Sequence, residues 1–120
     1  MERRSQAMPS LGPIQDAGRQ EWQASDRMDL QFTWDPGKAA ANVSKHGVSF
    51  ENGSTVFRNP LAKVLPDPTR SEREQRSLII GHSTRGRLLL VVFAERKHRI
   101  RIISARGASA RERREYEEHS

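Results

Sequence analysis

The 120-residue sequence contains no cysteine and only 6% aromatic residues. Without thiols, the chain cannot be a disulfide-stapled secreted scaffold, use a thiolate nucleophile or bind zinc through cysteine. The longest apolar run covers residues 88–94, far short of the roughly 20 residues that span a bilayer. The N-terminus also lacks the apolar core of a signal peptide. We therefore expect one small soluble domain that acts in the cytoplasm and has no membrane partner.

Several motifs of catalysis and metal binding are also missing. The sequence has no P-loop, no HExxH pair, no nucleophile elbow and no paired carboxylates beside an apolar strand end. Its four histidines do not show the spacing of metal ligands. These absences argue against nucleotide hydrolysis and metal-assisted chemistry, and we expect no metal and no cofactor.

Positive charge is present, and it is concentrated in one segment. The chain has 21 Lys and Arg against 15 Asp and Glu, for a net charge of +6. The cations of residues 76–106, opposed by Glu95 alone, are Arg76, Arg85, Arg87, Arg96, Lys97, Arg99, Arg101 and Arg106. Guanidinium groups suit phosphate and stay charged at any working pH. The segment therefore favours a nucleic acid or an acidic protein as partner, and the alternative is a solvated basic surface.

Hydrophobic periodicity divides the chain into two parts and predicts an α+β fold. Residues 1–27 have no period, so they are interpreted as a disordered or mis-annotated extension before a domain over 28–120. The predicted elements are a strand over 30–34, helices over 36–46 and 50–57, strands over 63–65, 76–82, 87–94 and 98–105, and a helix over 109–118. This order predicts an antiparallel β-meander with the helices packed on one face.

Local signals support the helix assignments. Asp35 followed by proline is typical of a helix start, and Gly47 supplies a left-handed stop. Ala39, Ala40 and Val43 are expected to face the core. Ser109 and Glu112 form the pattern of a capping box, and Trp34 is expected to be a core residue.

The candidates for proton transfer are Lys45 and His46, at the end of the first predicted helix. Imidazole is the side chain that most readily exchanges a proton near neutral pH. The alternative is that His46 only complements the helix C-terminus or fills space. Arg106, where the last strand ends, is a candidate for binding phosphate charge, and the alternative is an ion pair with Glu112.

These residue types fit RNA cleavage by the RNA's own 2′-hydroxyl. That reaction needs a base, an acid and fixed cations around the phosphorane charge, and it needs neither a metal nor a protein nucleophile. Composition alone does not separate this enzyme from its competitor, a non-catalytic basic adaptor that binds nucleic acid or protein.

Two segments of the sequence resemble BrnT-type toxins. The opening segment is Phe32-Thr33-Trp34-Asp35-Pro36 with Lys38 and Asn42, then Lys45-His46-Gly47-Val48-Ser49-Phe50-Glu51. The closing segment is Gly86-Arg87-Leu88-Leu89 and Arg101-Ile102-Ile103-Ser104-Ala105-Arg106, with Glu112 and Tyr116. The sequence departs from the family pattern at Gly53, where alanine is common, and at Asn59, where aspartate is usual.

The resemblance implies a RelE-like fold with two N-terminal helices on one face of the sheet and a C-terminal helix. It implies a type II toxin, a metal-independent endoribonuclease that inhibits translation. It also implies a cognate antitoxin of the BrnA type, whose ribbon-helix-helix region alone contacts operator DNA. The expected catalytic residues are Lys45, His46, Arg96 and Arg106, and the expected RNA-binding residues are Arg76, Arg87, Arg99 and Arg101. An acidic antitoxin segment is expected to cover the same basic surface.

Overall fold

The computed structural model of the protein describes residues 30–67 and 76–118. Its elements are β1 (Gln31–Thr33), α1 (Pro36–His46), α2 (Phe50–Ser54), a 3-10 helix (Thr55–Arg58), β2 (Lys63–Pro66), β3 (Ser77–His82), β4 (Leu88–Arg96), β5 (Arg99–Gly107) and α3 (Ala110–Glu118). The predicted mixture and order of helices and strands are confirmed. The predicted extension over residues 1–27 lies outside the described residues.

The strands form one five-stranded sheet in the order β1-β5-β4-β3-β2. β2 to β5 pair antiparallel, as the predicted meander requires. The prediction of a wholly antiparallel sheet is wrong for β1, which pairs parallel with β5. Alternation of apolar residues fixes which side of a strand is buried but carries no information about the direction of its neighbour. The position of β1 is set by Phe32, which packs against the core with its ring 5.1 Å from that of Phe57.

Apolar side chains of β4 point to both sides of the sheet, so both sides must be covered. Leu89 and Val91 pack into one cluster with Phe50 of α2. Leu88 and Leu90 pack into a second cluster with Tyr116 of α3. We call these two sides the α1 face and the α3 face. The prediction that all helices lie on one face is therefore wrong for α3.

Helix α1 has the predicted ends but a different buried side. The Asp35 carboxylate accepts a hydrogen bond from the Lys38 N–H at 2.9 Å, and Gly47 adopts φ 70°. Ala40 is exposed, and Val43 is 48% exposed. The buried residue of the helix is Asn42, which is polar. Ala39 packs partly against the core as expected. The expectation that Ala40 and Val43 face the core is wrong, because the helix turns its Asn42 side toward β5, where that side chain bonds Ala105.

Helix α2 is shorter than the predicted 50–57, because the chain tightens into a 3-10 turn after Ser54. The Thr55 hydroxyl donates to the Asn52 carbonyl at 2.6 Å, and the Ser54 hydroxyl donates to the Glu51 carbonyl at 2.7 Å. Such back-bonding competes with the α-helical pattern. Helix α3 begins as predicted, with the Glu112 N–H donating to Ser109 Oγ at 3.1 Å and the Ser109 N–H donating to Glu112 Oε1 at 2.9 Å.

Close backbone packing around Gly81 gives a stability prediction. A Cβ on Gly81 would lie 2.8 Å from the Ala62 Cβ and 3.1 Å from the Ala62 Cα. We expect Gly81→Ala to lower the free energy of unfolding by about 1–3 kcal/mol through overpacking, measured by urea denaturation.

Gly53→Ala is the matched control for this prediction. Its Cβ would meet only the Ala105 and Val91 methyl groups, at 3.2 and 3.5 Å, and alanine gains about 1 kcal/mol of helix propensity. The control should stay within about 1 kcal/mol of the wild type. An equal loss in both variants would contradict the packing argument.

Candidate functional site

The β4–β5 hairpin gathers exposed arginines at one end of the sheet. Arg96 lies opposite Arg99, and Ala94 opposite Arg101, so these side chains share the α3 face. Arg96, Arg99 and Arg101 line a cavity of about 260 Å³ together with Thr33 and Ala94. We call these three arginines the arginine cluster. Within the described part of the chain, Arg96 and Arg99 form no ion pair. The cluster therefore concentrates guanidinium charge where a phosphate could approach it.

The turn of the same hairpin extends this positive surface. Lys97 adopts φ 54°, and with its neighbour His98 it closes the turn between β4 and β5. Lys97, His98 and Gln31 of β1 line an adjoining cavity of about 480 Å³ with Arg96 and Arg99. The surface thus presents cations beside the polar amide of Gln31.

Lys45 and His46 lie where α1 runs beside β5. They line a depression of about 200 Å³ with Lys38, Ala41 and Asn42 of α1 and Ile103 and Ser104 of β5. We call this depression the α1–β5 seam. Ser104 pairs with Val92, whose side chain packs on the α3 face, so the seam adjoins the side of β5 that carries the arginine cluster. Ser104 follows Arg101 by about 10 Å of strand.

The seam is closed by the side chain of Asn42. Its Nδ2 donates to the carbonyl oxygens of Val48 at 2.8 Å and Ala105 at 2.7 Å. Its Oδ1 accepts from the Ala105 N–H at 3.2 Å. No role for Asn42 or Lys38 was predicted from the sequence. Their spacing could have grouped them with Lys45, because residues 38, 42 and 45 share one helix side at i, i+4 and i+7.

Arg106 makes the ion pair that was its alternative prediction. Its two terminal nitrogens lie 2.8 Å from the two carboxylate oxygens of Glu112. The Arg106 side chain is 38% exposed, and that of Glu112 is 10% exposed. Burial by itself would raise the pKa of Glu112, but hydrogen bonds from Arg106 and Ser109 outweigh it and lower that pKa. The hydrogen bond to Glu112 raises the pKa of Arg106. The pair fastens β5 to the start of α3.

The two remaining predicted RNA-binding residues lie at opposite ends of the sheet. Arg76 is half-buried and precedes β3, whose first residue Ser77 pairs with Phe93 near the arginine cluster. Arg87 precedes β4, so it lies roughly 30 Å from Arg96 along the strand. It lines a separate groove of about 460 Å³ with Arg85 and Glu51. The groove is also lined by Val43 and Gly47 at the C-terminal end of α1. The structure therefore places Lys45 and His46 beside the same strand as Arg99 and Arg101 of the arginine cluster, and it separates Arg87 from the cluster but not from the end of α1.

Neither a metal-binding cluster nor a membrane-spanning helix is present among the described residues. In residues 30–67 and 76–118, no three His, Asp or Glu side chains come together in a way that could hold a metal ion. None of the helices in those same ranges is long and apolar enough to cross a membrane.

Comparison with known proteins identifies the family. The sequence model of the family described as "Ribonuclease toxin, BrnT, of type II toxin-antitoxin system" matches residues 34–112, well over half of the chain. The chain belongs to the BrnT family. As a BrnT-family ribonuclease toxin of a type II system, it has RNA as its target and an antitoxin as its partner.

A solved structure supports the same assignment. The chain is similar to the crystal structure of the Brucella abortus ribonuclease toxin, BrnT, with 28% sequence identity and a TM-score of 0.52. The alignment covers 67% of this chain and 97% of that chain. A search of curated proteins gave no significant match.

The Arg106–Glu112 pair gives a pH-dependent stability prediction. We expect Glu112→Gln to lower the free energy of unfolding by about 1–2 kcal/mol at neutral pH, below the value for a fully buried pair because Arg106 is partly solvated. Since the folded pKa of Glu112 is lowered, its stabilisation is present above the ordinary glutamate range and is lost as the pH falls through the folded value. The difference between wild type and variant should therefore shrink in acid.

Glu117→Gln on the same helix is the control. Glu117 lies 3.9 Å from Arg113 and is 62% exposed, so the expected loss is below about 0.5 kcal/mol at any pH. Urea titrations of both variants across the acidic range measure the effect. A pH-independent loss in Glu112→Gln would show that the charge pair is not its cause.

Proposed function

We propose that this BrnT-family toxin cleaves RNA without a metal ion, by attack of a 2′-hydroxyl on the adjacent phosphate. The observation that carries the proposal is that the α1–β5 seam and the arginine cluster lie along the same strand, with Ser104 of the seam about 10 Å beyond Arg101 of the cluster. The seam offers two proton-exchanging side chains, and the cluster offers fixed positive charge. Those are the elements that the reaction requires.

In the proposed reaction, the proton of the 2′-hydroxyl passes to His46 as the oxygen attacks phosphorus. The bond from phosphorus to the 5′ oxygen then breaks, and Lys45 supplies a proton to that leaving oxygen. The products are a 2′,3′-cyclic phosphate on one fragment and a 5′-hydroxyl on the other. Proton transfers by positioned groups typically accelerate such steps by about 10²–10⁴-fold.

The proposed roles of the arginines follow their positions. Arg96 is proposed to stabilise the charge of the phosphorane, while Arg99 and Arg101 hold the flanking phosphates. Arg106, fixed by Glu112, is proposed to add charge from the same side of β5. Arg76 is proposed to hold RNA at the cluster's end of the sheet, and Arg87 to touch only RNA that extends beyond the seam.

The cellular consequences belong to the same proposal. We propose that the toxin has a RelE-like fold and acts in the cytoplasm. Cleavage of RNA there would inhibit translation. The proposed antitoxin is a BrnA-like ribbon-helix-helix protein that alone contacts operator DNA. An acidic segment of it is proposed to cover the arginine cluster, because the exposed guanidinium groups of Arg96 and Arg99 offer charge complementarity.

The first test of the proposal is cleavage in the presence of EDTA. We expect the purified protein to cut single-stranded RNA and leave 2′,3′-cyclic phosphate ends, identified by mass spectrometry. Lys45→Ala and His46→Ala should each lower kcat by about 10²-fold or more, because each removes a proton-transfer group.

Arg58→Ala, at an exposed residue on the α1 face of the fold, is the control and should retain wild-type activity. Intact RNA with salt-dependent binding would contradict the proposal and favour a non-catalytic adaptor. Normal cleavage by both Lys45→Ala and His46→Ala would show that the seam is not the site of proton transfer.

A second test measures phosphate contacts through their salt dependence. Arg99→Ala should weaken binding to an uncleavable 2′-O-methyl RNA and reduce the slope of log affinity against log salt by about 0.7. Fluorescence anisotropy at several salt concentrations measures that slope. Arg58→Ala should leave the slope unchanged, and an unchanged slope in Arg99→Ala would contradict a phosphate contact at the cluster.

A further inference from the structure

Asn42 completes a stretch of the β5 edge beside which the described part of the chain places no strand. The last residue of β1, Thr33, pairs with Arg101, so β1 stops short of the second half of β5. Further along, the Asn42 side chain bonds both the N–H and the C=O of Ala105. One amide group thus takes the place of a neighbouring strand at that position.

The same amide also ties down the chain that follows α1. Its Nδ2 donates a second hydrogen bond, to the Val48 carbonyl, one residue beyond Gly47 where the helix ends. Two carbonyl groups and one N–H leave a single way to orient the amide, with nitrogen toward both carbonyls. Asn42 is 7% exposed, so water does not compete freely for these bonds. One side chain therefore fixes α1, β5 and the α1–α2 connection relative to one another.

Within the described residues, helix α1 itself buries little apolar surface against β5. Ala39 packs only partly against the core, Val43 is 48% exposed, and Asn42 is the only fully buried residue of α1. The chain on both sides of the helix is anchored separately, through Trp34 before it and Phe50 after it, whose rings lie 5.9 Å apart. Loss of the Asn42 bonds should therefore free α1 to shift against β5 while the rest of the fold stays intact.

We propose that Asn42 is a positioning residue for RNA cleavage. It precedes Lys45 by three residues and His46 by four, so the three side chains lie on one side of α1. By bonding Ala105, Asn42 holds the two proton-exchanging groups over Ser104, beside the arginine-bearing side of β5. A displacement of about 1 Å in such an arrangement can slow a reaction roughly 10²-fold. This inference rests on the function proposed above.

The test compares kcat with KM in Asn42→Ala, using the full chain and a fluorophore-labelled single-stranded RNA in EDTA. We expect kcat to fall about 10- to 100-fold while KM and affinity for uncleavable RNA stay within about twofold, because the arginine cluster remains in place. Asn42→Ser, which keeps one donor and one acceptor, should show an intermediate kcat.

A matched variant separates positioning from a general loss of stability. Ile79→Val lies in the buried core on β3, away from the seam, and should lower the melting temperature without lowering kcat. A mutant cycle gives the second readout. In a background that carries both Lys45→Ala and His46→Ala, Asn42→Ala should cause little further loss of kcat, because both groups that it positions are already gone.

Several outcomes would overturn the inference. These are a normal kcat in Asn42→Ala, a loss of kcat no larger than that of an equally destabilised Ile79→Val, or a full additional loss in the background that lacks both Lys45 and His46. Failure of both Asn42→Ala and Asn42→Ser to fold would make Asn42 a folding residue and overturn it too. If the wild type leaves RNA intact, the proposed function falls and takes this inference with it. If Lys45→Ala and His46→Ala cleave normally, the function stands but the seam is not the site of proton transfer, and this inference falls. If only those two variants lose kcat, the function stands and the role of Asn42 falls.

Discussion

One edge of β5 is hydrogen-bonded first by strand β1 and then by the side chain of Asn42. The candidate site depends on this replacement of a strand by a helix side chain. β1 supplies a backbone neighbour as far as Arg101. Beyond that, the Asn42 amide bonds Ala105, and α1 takes the space that a longer β1 would fill. A full-length β1 would satisfy the same backbone groups but would leave no place for a helix beside Ser104. The short strand therefore allows helix side chains to meet a strand that carries arginines.

The arginine cluster follows from the period of the sheet. The β4–β5 hairpin places Arg96, Arg99 and Arg101 on one face and buries Ile100 and Ile102 on the other. Arg96 and Arg99 lie directly opposite one another, and like charges in that position lower stability unless solvent or a polyanion screens them. A bound phosphate chain would relieve that repulsion. Part of the free energy of RNA binding would therefore come from relief of a repulsion that the fold creates.

Residues with strong local signals were predictable from the sequence. Asp35 and Gly47 fix the ends of α1, and the Ser109–Glu112 capping box fixes the start of α3. The Arg106–Glu112 pair was the alternative weighed for Arg106. The features that could not be predicted from the sequence depend on tertiary contacts. The parallel direction of β1 and the position of α3 on the other face depend on contacts between distant segments. The burial of Asn42 depends on a bond to Ala105, which lies 63 positions away.

The site shows the same division. The sequence grouped the arginines of residues 76–106 by charge, whereas only the fold shows that Arg99 and Arg101 line one cavity and that Lys45 and His46 line a seam along the same strand. Arg87 resembles the other arginines in sequence, but the length of β4 carries it to the far end of the sheet. The sequence therefore indicates which residue types could take part in catalysis, and the topology of the sheet decides which of them lie in one site.

The central claim is that RNA is cut between the seam and the cluster. The most direct measurement is a crystal structure of the protein with a short RNA whose 2′-hydroxyl is replaced by hydrogen at the cleaved nucleotide. The account predicts that the phosphate at that nucleotide lies between the Lys45 and His46 side chains and the arginine cluster. An RNA bound in the groove beside Arg85 and Arg87, with the seam empty, would contradict it.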